Sequence, residues 1–252
     1  KAVTLTGSKS AGAAVASTAG KQIKKTVLEL GGNNALVVFK DANIDATVEE
    51  CVAARFHNTG QSCIAGKRLL LQEEIAEEFL DKFTQKVKAL VSGDPLEEDT
   101  YIGVMAREDL AEELEDLMNA SIEKGAELHC GGSRDKTYFA PTILTSVTSD
   151  MPVFKKETFG PLIAVTTFKT EEEAINLVNN SKFGLGASLF SNDLKRMEEL
   201  AAQIKDGAVF INHKVASHPA LPFGGTGISG YGRELSYYGI REFVNIKTVV
   251  IA

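Results

Sequence analysis

The chain has 252 residues, 44% of them hydrophobic and 24% charged, which is typical of a globular protein with one large domain or two smaller ones. Its formal net charge of −7 argues against a nucleic-acid partner, and no apolar run reaches the roughly 18 residues needed to span a membrane. Three cysteines without a C-x-x-C pair and four histidines without ligand spacing predict neither a disulfide scaffold nor a metal site, and fit a reducing cytoplasmic compartment.

The first apolar runs predict strands of a buried parallel sheet. "AVTLT" is rich in β-branched residues, and "GSKSAG" then turns into an alanine-rich helix. "KTVLEL" and "ALVVF" follow as strands with few polar interruptions, as expected for strands buried on two faces. Because the chain opens in the middle of such a sheet, we expect that an N-terminal part precedes it.

The remainder continues a β-α-β rhythm with crossovers long enough for parallel pairing, so the fold class is α/β. Strands are predicted at "RLLLQ", "AELHCGG", "YFAPTIL", "GPLIAVTTF", "GASLF" and "GAVFIN". Helices are predicted, from apolar residues three or four apart and from cap residues such as Asp45, over 45–58, 73–91, 107–124, 171–180 and 193–204. The glycine-rich loop 224–232 has no periodicity, and "EFVNIKTVVIA" is a β-rich tail that must pair somewhere.

Three glycine clusters suggest places where backbone could approach a ligand. "TGSKSAG" follows a strand and opens a helix, so its N–H groups could face a phosphate, but it lacks the Lys-Ser/Thr of a P-loop. "GTGISG" matches G-x-G-x-x-G in the wrong context, without a strand before it or a clear helix after it. "LELGGNN" places Glu29 near the end of an apolar strand, where an unused carboxylate is costly to bury.

The stretch "NTGQSCIAGKR" contains the candidate nucleophile. Cys63 could be a small buried apolar residue, as free cysteines often are. However, it follows a polar glycine turn, and Lys67 and Arg68 lie close enough in sequence to favour a thiolate. Cys51 reads as core and Cys130 as structural or exposed, so Cys63 and Glu29 form the pair to test.

A second carboxylate, Glu157, lies in the loop "KKETFGPL" before a buried strand. Loop acids are usually solvated. A carboxylate at a strand entry and beside Phe159 could instead hold a ribose diol through two hydrogen bonds.

Taken in order, the segments "LELGGNN", "NTGQSCIAGKR", "KKETFGPLIAV", "NNSKFGLGASLF" and "LPFGGTGISGYGRE" resemble the successive motifs of NAD(P)-dependent aldehyde dehydrogenases. The resemblance runs from about Val3 to Ile251 and is nearest to the bacterial succinate-semialdehyde dehydrogenase branch. It implies an open, mostly parallel catalytic sheet, the end of a Rossmann-like cofactor domain and a C-terminal oligomerisation strand. The implied divisions are 1–31 (end of the cofactor domain), 32–228 (catalytic domain), 229–243 (return to the cofactor domain) and 244–252 (oligomerisation strand).

The resemblance also implies roles for individual residues. Cys63 matches the catalytic thiol, and Glu29 matches the general base that activates the hydrolytic water. The positions that match the cofactor site are Gly7 and Ser8 (pyrophosphate), Leu30 and Gly31 (beside the nicotinamide), Glu157 (ribose) and Phe159 (the nicotinamide side). Phe223 matches an aromatic of the aldehyde tunnel. The implied cofactor is NAD or NADP, and the implied assembly is a homodimer or homotetramer.

The implied reaction oxidises an aldehyde to a carboxylic acid through a thiohemiacetal and a thioester on Cys63. The Cys63 N–H would supply one oxyanion donor, but the family's asparagine donor and adenosine-ribose lysine match nothing here. Losing one such donor costs about 10²–10³ in rate. We therefore expect the 252-residue chain by itself to be weakly active or inactive.

The substrate pocket departs from the named branch. His218 and Ala220 stand where that branch usually carries Asp and Arg. Without an arginine fork, recognition of a substrate carboxylate weakens. Ser217 and Lys214 remain as candidate partners, so the aldehyde stays open.

Two other classes of function stay open from sequence. One is a cysteine-dependent hydrolase whose base is His57, six residues before Cys63, or another histidine. The other is a non-catalytic assembly module that uses the β-rich tail.

Overall fold

The computed structural model describes every residue from Lys1 to Ala252. Its strands are β1 (Ala2–Thr6), β2 (Lys25–Glu29), β3 (Asn34–Val38), β4 (Gly66–Gln72), β5 (Glu127–Cys130), β6 (Arg134–Asp135), β7 (Tyr138–Phe139), β8 (Thr142–Thr145), β9 (Leu162–Phe168), β10 (Phe183–Gly184), β11 (Ala187–Phe190), β12 (Val209–Ile211), β13 (Thr226–Gly227) and β14 (Gly230–Tyr231). Its α-helices are α1 (Lys9–Lys21), α2 (Ile44–Phe56), α3 (Ala76–Lys88), α4 (Glu108–Ile122), α5 (Pro152–Lys155), α6 (Glu171–Asn179), α7 (Leu194–Ala201) and α8 (Ser236–Arg241).

Seven strands form the main sheet, in the order β12-β11-β3-β4-β9-β8-β5. Every neighbouring pair is parallel except β5 with β8. One apolar cluster of 26 residues and another of 18 residues surround it, and β3 and β4 contribute alternate residues to each. The predicted α/β class with a mostly parallel sheet is therefore confirmed. The sequence could indicate it because parallel strands covered on both faces are continuous apolar runs.

A smaller sheet has the order β1-β2-β14. β1 and β2 are parallel, and β14 pairs antiparallel to β2, with Gly230 opposite Glu29. The loop 224–232, expected to lack regular structure, thus supplies two short strands. At Gly230 the backbone has φ +112°, and a Cβ there would overlap the Leu28 carbonyl. Only glycine lets this strand approach β2 so closely.

The structure shifts two predicted helix starts. α2 begins at Ile44, and its cap is Asn43, whose side chain accepts a bond from the Ala46 N–H, so the prediction of Asp45 as cap was wrong. Asp45 instead sits in the first turn, where its charge favours the helix dipole. The predicted helix 73–91 opens with a 3-10 turn, Glu73–Ile75, before α3.

The apolar tail 244–252 forms no strand within this chain. Its large side chains are exposed: Val244, Ile246, Val249, Val250 and Ile251. A strand needs a partner for its N–H and C=O groups, and no element of the same chain provides one here. The oligomerisation strand therefore stays a prediction. Among the helices, none is long and apolar enough to cross a membrane.

Candidate active site

The ends of β1 and β2 meet at one edge of the small sheet. Glu29 is the last residue of β2, one position earlier than the apolar run suggested, because Leu30 donates its N–H to Ser229 instead. Gly7 donates its N–H to the Glu29 carbonyl at 2.9 Å. Ser8 caps α1 by accepting a bond from the Ala11 N–H. The candidate phosphate turn and the candidate base therefore lie side by side.

Cys63 lies in the turn that enters β4. The turn follows a 3-10 segment in which Asn58 and Thr59 adopt left-handed φ angles of 53° and 56°. Asn34 fixes the far side of the turn by donating its amide to the Ile64 carbonyl at 3.0 Å. Gly32 packs against the Cys63 carbonyl, where a Cβ would overlap it. The segment "LELGGNN" therefore forms the wall behind "NTGQSCIAGKR".

The Cys63 thiol is half-buried and unpaired. Burial raises its pKa, and the Glu157 and Glu29 carboxylates raise it further, whereas the Lys67 cation and the Ile64 N–H lower it. The expectation of thiolate-favouring basic residues therefore holds for Lys67 alone, and the net shift is upward. It was wrong for Arg68, which is buried and donates to three backbone carbonyls.

Glu29 is a buried carboxyl group without a hydrogen bond. Its side chain is 3% exposed, and neither of its oxygens has a partner. Burial raises its pKa to about 8; the Glu234 carboxylate raises it as well, and Arg233 opposes the shift. A carboxylate in this environment accepts a proton near neutral pH, which is the property of a general base.

Folding stability should depend on the proton of Glu29. The folded-state pKa of about 8 lies above the ordinary value of 4.5, so the folded chain holds this proton and loses stability as pH rises between those values. Glu29→Gln mimics the protonated acid. We expect calorimetry to show its melting temperature matching that of the wild type near pH 5 and exceeding it at pH 9. A difference independent of pH would contradict this.

Glu157 lies over the glycines that follow β2. Its Oε1 accepts from the Gly32 N–H at 2.9 Å and lies 3.3 Å from Lys67 Nζ. A Cβ on Gly31 would overlap its Oε2 and lie 3.0 Å from its Cδ. Phe159, two residues on, is 39% exposed. The carboxylate is thus held by one oxygen, and its second oxygen makes no hydrogen bond within the chain.

Gly31→Ala should displace the Glu157 carboxylate, because the new methyl group takes the space of Oε2. The resemblance implies that this carboxylate binds the cofactor ribose, and on that expectation the loss of one charged hydrogen bond weakens NAD(P) binding roughly tenfold. Isothermal titration of the intact protein with NAD(P) measures this. The matched control is Gly20→Ala in α1, where a Cβ meets nothing within 4 Å. Unchanged affinity in Gly31→Ala would contradict the placement.

The residues expected to bind the substrate do not all lie near Cys63 and Glu29. Phe223 is half-buried and exchanges two backbone hydrogen bonds with Glu234, the neighbour of Glu29. Ser217 is exposed in the loop after β12 and bonds to neither Cys63 nor Glu29. In the same loop, the Lys214 N–H donates to the Glu50 carboxylate of helix α2. The structure therefore brings Phe223 toward the base and leaves Ser217 in solvent.

His57 does not act on the thiol. It is exposed in the 3-10 segment, it makes no hydrogen bond to Cys63, and it is not among the groups that shift the pKa of Cys63. The geometry therefore does not support His57 as the base of a hydrolase.

Sequence reasoning missed two contributors to the site. Arg233 and Glu234 lie beside Glu29 with opposite charges. Both sit in an aperiodic loop, so only the pairing of β14 with β2 reveals their position. For Lys67, the sequence indicated an effect on the thiol but not its burial against the Cys63 turn.

Comparison with known proteins identifies the family. The family model "Aldehyde dehydrogenase family" matches residues 1–249. An aldehyde dehydrogenase of Paenarthrobacter nicotinovorans is 46% identical over 99% of this chain and 55% of its own length. The succinate semialdehyde dehydrogenase [NAD(P)+] Sad of Escherichia coli (strain K12) is 44% identical over 98% of this chain and 54% of its own length.

A solved structure is similar as well. The succinic semialdehyde dehydrogenase of Streptococcus pyogenes, in complex with NADP+, superposes with a TM-score of 0.96 at 37% identity and covers 99% of this chain and 56% of its own. The chain spans about half the length of the curated relatives that it matches. Because the family match extends over nearly all of its residues, the chain belongs to the aldehyde dehydrogenase family.

Proposed function

We propose that the intact protein oxidises an aldehyde to a carboxylic acid with NAD(P)+, with Cys63 as nucleophile and Glu29 as general base. The observation that carries the proposal is the buried Glu29 carboxyl group, whose two oxygens have no hydrogen-bond partner. Burial raises its pKa to about 8, and its charge in turn raises the pKa of the Cys63 thiol. A structural carboxylate in that position would be paired, since burying an unpaired one costs free energy.

In the first half-reaction, the Cys63 thiolate adds to the aldehyde carbon and the carbonyl oxygen becomes an alkoxide. The Cys63 N–H donates to no group within the chain, so it is free to stabilise that oxygen. Loss of hydride from the same carbon leaves a thioester on Cys63. Bound NAD(P)+ supplies the hydride acceptor.

In the second half-reaction, Glu29 removes a proton from water, and the hydroxide adds to the thioester carbonyl. The Cys63 thiolate then leaves, and the carboxylic acid is released. A pKa of about 8 lets Glu29 take the proton and return it near neutral pH. Burial, and after it the Glu157 and Glu29 carboxylates, raise the pKa of the Cys63 thiol, whereas Lys67 opposes this shift.

The residues present fit a dinucleotide. Glu157 offers Oε2 to a ribose diol, and Gly7 with Ser8 opens the N-terminus of a 13-residue helix, where backbone N–H groups favour phosphate. Leu30 and Gly31 join these two places along the end of β2. Phe159 presents an exposed ring on the Glu157 side. We assign these residues to NAD or NADP.

The substrate class is a small aldehyde, and succinate semialdehyde is the first to test because relatives carry that name. Phe223 would line its path. Ser217 and Lys214, in the loop after β12, are the candidate partners of its carboxylate. Since no arginine fork is present, we expect weaker selection for the acid than in an arginine-bearing pocket.

The proposal extends to organisation and location. The pairing of β14 with β2 supports assigning 1–31 and 229–243 to a cofactor domain, 32–228 to a catalytic domain and 244–252 to oligomerisation. The exposed apolar tail supports a homodimer or homotetramer. Three unpaired cysteines support a cytoplasmic location.

The test incubates the intact protein with NAD+ or NADP+ and either succinate semialdehyde or an unbranched aliphatic aldehyde. Formation of reduced nicotinamide is followed by absorbance. We expect one acid formed per reduced cofactor. A rate of ester hydrolysis that does not depend on NAD(P) and is lost in His57→Ala would support the hydrolase instead. A dimer that binds no dinucleotide would support the assembly module.

A further inference from the structure

Lys67 is a fully buried cation within strand β4. Its side chain is 0% exposed, and the next residue of the strand, Arg68, is buried as well. Taking an ammonium group out of water costs several kcal/mol, so it is kept only where partners satisfy it. The proposed reaction assigns Lys67 no step. Its burial therefore needs another explanation.

The Lys67 ammonium group has three donors, and three acceptors surround it. Nζ lies 2.7 Å from the Ser62 carbonyl, 2.8 Å from the Cys63 carbonyl and 3.3 Å from Glu157 Oε1. Two acceptors belong to the turn of the nucleophile. The third belongs to the carboxylate assigned to the cofactor ribose.

Glu157 is constrained by the same contact. Its Oε1 is shared between Lys67 and the Gly32 N–H, which leaves Oε2 for a ligand. Gly32 in turn packs against the Cys63 carbonyl. The Cys63 backbone thus contacts Lys67, Lys67 contacts Glu157, Glu157 accepts from Gly32, and Gly32 packs against Cys63 again.

We propose that Lys67 is a positioning residue that links the Glu157 carboxylate to the backbone of Cys63, so that cofactor binding and nucleophile placement depend on one buried cation. The proposal rests on the proposed function, because it takes Cys63 as the nucleophile and Glu157 as the ribose ligand. It adds a residue to which that function gives no role.

The linkage predicts opposite effects of the two charges on the thiol. The groups that face Cys63 are Lys67, Glu157 and Glu29, and those that face Lys67 are Glu157, Arg55 and Cys63. Removing the Lys67 cation leaves only the two carboxylates, which raise the pKa of the thiol. Removing the Glu157 charge leaves the cation unopposed.

The first experiment measures alkylation of Cys63 by iodoacetamide against pH, in the intact protein with Cys130 replaced by Ser. Because burial lowers the pKa of Lys67 to about 8, the profiles are compared below pH 8, where Lys67 carries its charge. There we expect the profile of Lys67→Met to move about one pH unit higher and that of Glu157→Gln to move about one unit lower. Lys67→Gln keeps donors for the carbonyls without the charge and should also move higher. Lys67→Arg, which keeps the charge, should stay near the wild type.

The control is Lys82→Met, which removes an exposed cation paired with Asp45 and Glu78 and should leave the profile in place. Thermal unfolding identifies variants that do not fold. If neither neutral Lys67 variant folds, Glu157→Gln decides, because its side chain is partly exposed and the unpaired Lys67 then faces the thiol. An unchanged profile in the folded neutral variants, or in Glu157→Gln, overturns the proposal.

The second experiment separates KM for NAD(P) from kcat. We expect Lys67→Met to raise KM for the cofactor roughly tenfold, since Glu157 loses one of its two anchors. KM for the cofactor equal to that of the wild type overturns the link to Glu157. Alkylation needs no aldehyde, so a protein that shows the thiol shifts yet oxidises no aldehyde would refute the proposed function and not the role of Lys67.

Discussion

In Glu29→Gln, aldehyde oxidation is expected to stop after one turnover per site, with the thioester left on Cys63. Glutamine keeps the shape of the side chain but cannot take the proton of water, so hydrolysis loses its general base, worth about 10²–10⁴ in rate. Rapid mixing should show one reduced nicotinamide per active site, followed by a steady rate lower by that factor. A wild-type steady rate would remove Glu29 from the mechanism.

The pH dependence of the wild type sharpens this expectation. The active base is the ionised form of Glu29, whose pKa is about 8, so the hydrolytic rate should rise with pH through that value. The Glu29→Gln profile should lack this limb. Glu234→Gln is the matched control: it removes a neighbouring charge that raises the pKa of Glu29, so the limb should move to lower pH without arrest.

Cys63→Ser is expected to abolish aldehyde oxidation, with a loss of at least about 10³-fold in kcat, because a serine hydroxyl is a much weaker nucleophile than a cysteine thiolate. Cofactor binding should persist, since no contact of Glu157 passes through the Cys63 side chain. Cys130→Ser is the control, being a half-buried thiol in strand β5 with no assigned role. Oxidation at the wild-type rate by Cys63→Ser would disprove the nucleophile assignment.

Local patterns were sufficient to predict most of the fold. β2 and β3 were visible because parallel strands covered on two faces read as continuous apolar runs. α3 was visible from its apolar period of three or four residues. The pairing of β14 with β2 could not be predicted, because it joins residues far apart in sequence and depends on Gly230, which has no side chain to block the approach of the two strands.

The candidate site was predictable to a different extent. Cys63 and Glu29 stand out as residue types that are costly or uncommon in their positions, so sequence alone identified the pair for testing. Their protonation was not predictable. It depends on burial, on Glu234 and Arg233 from a loop without periodicity, and on which of two adjacent buried basic residues faces the Cys63 turn. Lys67 turns toward the Cys63 turn, and Arg68 turns away.

The most direct measurement is mass spectrometry of the Glu29→Gln protein after reaction with an aldehyde and NAD(P)+. The central claim predicts an adduct on the peptide containing Cys63, with the mass of the aldehyde less two hydrogens, formed only when the oxidised cofactor is present. An unmodified Cys63, or an acyl group carried by Cys130 instead, would contradict it.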